Sequence, residues 1–200
     1  QKKIIFANFL LTSSKLKLSE SKFRFTDENN KTPKMLDFKE LGGIVYDFQV
    51  QGPNVSGNVD GLTFLDTHGL RVTEMNTKFY YSLTQMRFEE LEIKTANSSL
   101  QGEVIFDYER KDFAEFLDKV QLTARFTDSE IDFSELNYFY DEFGSKKGKF
   151  STEITGVLND FTTKNFDFIS SNTVIKGDVQ YKNLFNSSRM FYMKGDFDRF

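Results

Sequence analysis

His68 is the only histidine in the 200 residues, and it sits in the turn sequence Asp66-Thr67-His68-Gly69. A hydrolytic triad needs a nucleophile beside it and a zinc site needs further ligands, and the neighbouring residues supply neither. The spacing therefore predicts an exposed turn residue. Glu89-Glu90 and Asp141-Glu142 are the adjacent carboxylates. Glycoside hydrolysis would need two such groups converging across a cleft, and in an acidic chain carboxylates more often solvate an outer face or a helix end. Gly52, Gly57 and Gly61 fall along strands and turns, and Gly42-Gly43 is expected to precede a strand, so no glycine pattern opens a helix to cradle phosphate. Lys146-Lys147-Gly148-Lys149 reads as a solvated loop, with contact to anionic headgroups as its functional counterpart. Asn54-Val55-Ser56 and Asn97-Ser98-Ser99 match the glycosylation sequon, a pattern common by chance. The chain is read as a non-enzyme with no cofactor and no metal.

What positions these residues is a chain with 38% hydrophobic and 16% aromatic content, including 24 Phe and 8 Tyr but no Trp. Two prolines leave little signature of disorder. A net charge of −4 argues against nucleic acid, which requires a basic face. Cysteine is absent, so the fold owes nothing to disulfides or thiolate sites. The apolar run from Lys3 to Leu11 is too short and interrupted to span a bilayer. The chain opens on Gln1 without a signal-like core, and is expected to be an excerpt of a longer protein.

Period-two alternation dominates. It predicts strands with Ile44, Tyr46, Phe48 and Val50 on one face, and Asp47, Gln49 and Gln51 opposite. Val55, Gly57 and Val59 follow, with a turn expected at Asp60-Gly61. Phe79, Tyr81 and Leu83 obey the same rule, as do Val120, Leu122, Ala124 and Phe126, and then Phe150, Thr152 and Ile154. The class is mainly antiparallel β. Two stretches break the pattern. Asp112 to Lys119 places Phe113, Phe116 and Leu117 on one helical side. Ser134 is expected to N-cap a second helix carrying Leu136, Phe139, Tyr140 and Phe143, stopped by Gly144. Both are expected to cover or plug a sheet.

One phrase occurs twice. Asn97-Ser98-Ser99-Leu100-Gln101-Gly102-Glu103-Val104 returns 75 residues later as Asn172-Thr173-Val174-Ile175-Lys176-Gly177-Asp178-Val179, with Phe106 or Tyr181 following. Repetition at this distance marks a β array built unit on unit. Residues 1–200 are therefore read as one segment of such an array, with repeat units around 88–110 and 165–184. Period two sets Leu100, Val104, Phe106, Tyr108, Ile175, Val179 and Tyr181 on one face, with Gln101, Glu103, Lys176 and Asp178 opposite. Val120, Leu122 and Phe126 complete a candidate apolar lining. The same aromatic stripe would serve as the core of a closed sandwich or as the wall of an open trough.

Several phrases in order carry a family resemblance. They are Phe23-Arg24-Phe25-Thr26-Asp27-Glu28-Asn29, Leu36-Asp37-Phe38-Lys39-Glu40-Leu41, Asn97 to Val104, Phe133-Ser134-Glu135-Leu136-Asn137-Tyr138-Phe139 and Thr155-Gly156-Val157-Leu158-Asn159. Together they resemble TamB-like proteins of the wider AsmA-like group, of the Bacteroidota type, over most of the chain. The resemblance implies a β-taco, an elongated, curled antiparallel sheet or half-pipe with an apolar interior and one or two short helices. It implies a periplasmic segment of a protein anchored in the inner membrane, with an Omp85-class (TamA-like) outer-membrane partner. It also implies phospholipid as cargo, conducted between membranes through a hydrophobic groove, or support of outer-membrane protein assembly. A scaffold that pairs edge strands with outer-membrane proteins, and an unrelated β-sandwich binding module, are the alternatives.

Overall fold

The computed structural model describes residues 9–27, 34–138, 144–171, 173–183 and 190–192. Twelve strands follow in order: β1 (Leu10–Asp27), β2 (Lys34–Gln51), β3 (Asn54–Leu65), β4 (Arg71–Val72), β5 (Glu74–Tyr81), β6 (Gln85–Lys94), β7 (Ser99–Asp107), β8 (Gln121–Asp132), β9 (Lys147–Val157), β10 (Asp160–Ser170), β11 (Thr173–Lys182) and β12 (Met190–Tyr192). Eleven form one path in chain order, and β4 pairs beside it on β3. Every pairing is antiparallel. The sheet is curled and does not close. At about 4.8 Å per step the path runs roughly 50 Å along the sheet.

Among the described residues this sheet has no second layer, and its surface reflects that. The accessible area is 13562 Å², whereas a compact monomer of 23.3 kDa would expose about 9,700 Å². Among the described residues the buried apolar set is correspondingly small: Val72, Leu91, Tyr108, Val120, Leu122, Ala124, Phe168 and Val179. Ring contacts run between hydrogen-bonded neighbours, as in Phe79–Phe88, Phe126–Phe150 and Phe161–Tyr181, or between the sheet and its helical connections.

The long strands are interrupted by bulges, each with one residue in the left-handed region. Asp47 (φ 51), Glu90 (φ 50), Asp128 (φ 47) and Asn165 (φ 51) sit at register shifts in β2, β6, β8 and β10. An extra residue bends its strand and increases the local twist, which is how a sheet is made to curl. Asp47 also overturns the single-face reading of β2. Ile44 and Tyr46 pair with Asp60 and Asn58 on the outer face, while Val45 pairs with Val59 and Val50 with Val55 on the inner one. Gly61 (φ 58) is likewise no turn: β3 continues through it to Leu65, and its N–H donates to Asn76 Oδ1 at 2.8 Å. Gly42-Gly43 lies inside β2 rather than before it. Leu83 falls beyond β5, in the turn into β6.

Polar groups freed at the bulges find partners on both faces. Thr77 Oγ1 donates to Glu89 O at 2.9 Å, Ser129 Oγ to Thr127 O at 3.2 Å and Thr152 Oγ1 to Lys164 O at 3.2 Å. Each acceptor is the residue just before the left-handed one. From the outer side, Ser151 Oγ accepts from Asp128 N and Asp178 Oδ1 from Asn165 N. This explains why hydroxyls are buried on an otherwise apolar face, since an unpartnered buried carbonyl is costly. Thr77, Glu90, Gly102 and Val104 recur as Thr152, Asn165, Gly177 and Val179, each 75 residues on. The repeat seen in sequence is thus a repeat of bulge, hydroxyl and glycine at equivalent places in the sheet.

The first helical connection covers the expected stretch but is mostly 3₁₀, and the second is shorter than the residue pattern suggests. Arg110–Glu115 is a 3₁₀ turn, followed by α1 (Phe116–Lys119). The second helix, α2, is Phe133–Leu136, capped by Asp132 and not by Ser134. Asp132 Oδ1 accepts from both Ser134 N and Ser134 Oγ, so the carboxylate two residues earlier outcompetes the hydroxyl as cap. Leu136 ends α2, and the expected Phe139, Tyr140 and Phe143 lie outside the described residues.

Candidate functional site

The candidate site is the inner face. In β7, Val104 and Phe106 pair with Ala124 and Leu122 of β8 and with Phe88 and Met86 of β6, and Leu100 pairs with Ile93. In β11, Ile175, Val179 and Tyr181 pair with Phe168, Thr163 and Phe161. Glu103 pairs with Arg125 and Lys176 with Asp167 on the other side, where they form ion pairs at 3.7 and 2.9 Å. The alternation read from the repeat therefore places Leu100, Val104, Phe106, Tyr108, Ile175, Val179 and Tyr181 on one face, and the charged residues on the other.

The ten candidate lining residues do not share one environment. Leu100, Val104, Phe106, Phe126, Ile175 and Tyr181 are half-buried. Tyr108, Val120, Leu122 and Val179 are buried. The 110–119 connection folds over the inner face at one rim, where it meets Tyr108 and Phe106. Phe113 meets Tyr108 edge-on at 4.5 Å and Phe116 packs on Phe106 at 5.7 Å. Asn159 fastens α1 from the β9–β10 turn: its N–H donates to Leu117 O at 2.9 Å and its Nδ2 to Asp118 Oδ1 at 2.7 Å. Val120 is completely buried as the chain leaves α1. Tyr108 donates its phenol proton to Ser82 O at 2.9 Å, and burial pushes that phenol up to about 12. Burial likewise raises Tyr181.

At the opposite rim α2 performs a similar task. Phe133 stacks on Phe168 at 5.5 Å, and the Phe168 ring lies over Gly148, where a Cβ would come within 2.2 Å of it. Glu135 is buried and ties α2 to the β6–β7 turn. It accepts from Thr95 Oγ1 at 2.6 Å, Ser98 Oγ at 2.5 Å and Asn97 N at 3.2 Å. The Asn97-Ser98 turn that opens the repeated phrase is therefore a structural joint.

The residues singled out for chemistry are dispersed. His68 is exposed, with Nδ1 2.9 Å from Asp66 Oδ2, and Asp66 Oδ1 also accepts from the backbone of His68 and Leu70. Glu89 and Glu90 form a bulge, paired with Arg87 and Lys78 on the outer face. Asp141-Glu142 lies outside the described residues. Lys147 bonds Asn97 O at 3.4 Å and approaches Asp132 at 3.7 Å, so this part of the basic knot belongs to β9. Among the described residues no group of three His, Cys, Asp or Glu is arranged to hold a metal, and no helix is long and apolar enough to cross a membrane.

Phe88, Phe150, Phe166 and Phe168 share the inner face with the candidate residues, although none was singled out as lining. Their signal was pairing: each lies opposite or beside a residue already assigned inward. No protein-family model matches the chain, and neither a curated protein nor a solved structure matches it.

Proposed function

We propose that this chain is a segment of a bridge-like envelope protein that conducts phospholipid between the inner and outer membranes along its inner face. The carrying observation is a curled, unclosed sheet whose inner positions are apolar from strand to strand and lack a second layer. Each CH₂ taken out of water is worth about 0.8 kcal/mol, so a two-tailed lipid needs such a lining to pass between membranes. A continuous apolar wall without a deep pocket lets acyl chains slide, and headgroups stay at the open seam. The resemblance to TamB-like proteins supports the same reading. It adds a periplasmic location, an inner-membrane anchor and an Omp85-class partner, contributed by other parts of the full-length protein.

One observation favours a second reading, in which the sheet edge serves as a scaffold for outer-membrane strands. β1 is an 18-residue edge with Leu11, Leu16 and Phe23 exposed, and long edges are templates for strand addition. Native mass spectrometry of the protein purified from membranes separates the two. Bound phospholipid at defined stoichiometry supports the conduit, whereas lipid-free protein that captures an unfolded barrel protein through β1 overturns it.

A further inference from the structure

The inner face is not uniformly available. On β8, Leu122 is buried at one rim beside Phe106, on which Phe116 of the 110–119 connection packs, and at the other Phe133 covers Phe168 on β10. Between these covers lies a band that spans Ala124 to Ser129 on β8, about 15 Å along the strand. The small Ala124 and Ser129 side chains are themselves buried, and the half-buried Phe126 between them offers the accessible surface. Phe88, Val104, Phe126, Phe150 and Phe166 lie across it on β6 to β10.

No inner-facing position in that band is charged. Its hydroxyls are also spoken for: Ser129, Thr152 and Thr163 donate to Thr127, Lys164 and Val179 carbonyls. The strands beneath it are hydrogen-bonded to neighbours on both sides. A peptide laid in the band would find no partner for its N–H and C=O groups, and would lose several kcal/mol per group left unsatisfied. A hydrocarbon chain carries no such groups.

On this basis, and resting on the conduit reading, we infer that the two helical connections shutter the rims of the inner face and confine lipid acyl chains to this central band. Tyr108, Val120 and Leu122 then belong to the shutter's seat and not to the lipid path.

Photolabelling of the wild-type protein with a phosphatidylethanolamine bearing a diazirine in one acyl chain tests this, with adducts mapped by peptide mass spectrometry. Adducts are expected on Phe88, Val104, Phe126 and Phe150, at least tenfold above those on Val120 and Leu122. Equal labelling at Val120 and Leu122 overturns the shutter while leaving the conduit standing. Labelling no higher than on a non-binding control protein overturns both. Phe113→Ala with Phe116→Ala removes the aromatic anchors of the first cover. In that variant, labelling of Leu122 should rise about tenfold with the band unchanged. If the variant folds and Leu122 stays unlabelled, the 110–119 connection is not what shields it.

Discussion

Replacing Thr152 by valine removes one hydroxyl from the inner face and little else, which makes it a sharp probe of how the curl is held. Thr152 is 5% exposed and its Oγ1 donates to Lys164 O at 3.2 Å, the carbonyl just before the left-handed Asn165. Losing that donor strands a carbonyl, at about 1–3 kcal/mol. The added methyl returns up to about 0.8 kcal/mol through burial. The net loss is about 1–2 kcal/mol, or roughly 2–8 °C in Tm for a chain of this size. Denaturant and thermal unfolding of the wild type, Thr152→Val and Thr152→Ser measure it, with the serine variant retaining the donor. The decisive step is deletion of Asn165. Without the extra residue, Phe166 moves opposite Thr152 and every later side chain keeps its face. In that background the hydroxyl has no bulge carbonyl to satisfy, so valine should cost little. An equal loss from Thr152→Val in both backgrounds would refute the role assigned to the hydroxyl. Thr77→Val should repeat the pattern against Glu90.

Gly102→Ala should be worse than Gly148→Ala: the first Cβ would meet Arg125 backbone O at 1.9 Å, the second only the Phe168 ring at 2.2 Å. Trimming Phe168 to leucine should rescue the second and not the first, as read by thermal melts. The Arg24 hydrogen bond holds Asp37 below its usual range, and the Ser134 hydrogen bonds do so for Asp132. A carboxylate depressed on folding contributes stability that is present above the unfolded value of about 3.9 and lost as pH falls through its folded pKa. Stability measured against pH should therefore drop below about pH 4, and Arg24→Met should flatten Asp37's share of that drop. Small-angle scattering should give a radius of gyration well above the ~16–17 Å of a compact 200-residue chain, and a value in that range would contradict an open sheet.

Alternation made the strands of the second half readable, because β7, β9 and β11 carry no internal bulge and keep period two. In β2, β6, β8 and β10 the inward residues are spaced by three at one point: Val45 to Phe48, Phe88 to Leu91, Phe126 to Ser129 and Thr163 to Phe166. That slip, with a polar pair inside it, is the written sign of a bulge. Reading Ile44 and Tyr46 with Phe48 ignored it. The repeated phrase identified two inward-facing strands, but local pattern does not reveal that the 110–119 connection folds back to set Phe113 on Tyr108 and Phe116 on Phe106. That cover is tertiary packing, anchored by Asn159 some 40 residues away. Asp132 as the cap of α2 was hidden for a simpler reason, since Asp and Ser two residues apart are equally good caps by type.

The central claim is that the inner face is open between its covers and closed beneath them, and a buried charge distinguishes the two. Val104 is half-buried in the open band, whereas Val120 is completely buried where the chain leaves α1. Thermal and denaturant unfolding of Val104→Asp and Val120→Asp, compared side by side, measures the difference. A carboxylate at Val104 can stay hydrated, so its melt should fall only slightly. One at Val120 has no route to water and should lose several kcal/mol, enough to unfold a typical domain. Equal collapse of both variants would mean that the face around Val104 is a closed core, and would contradict the account.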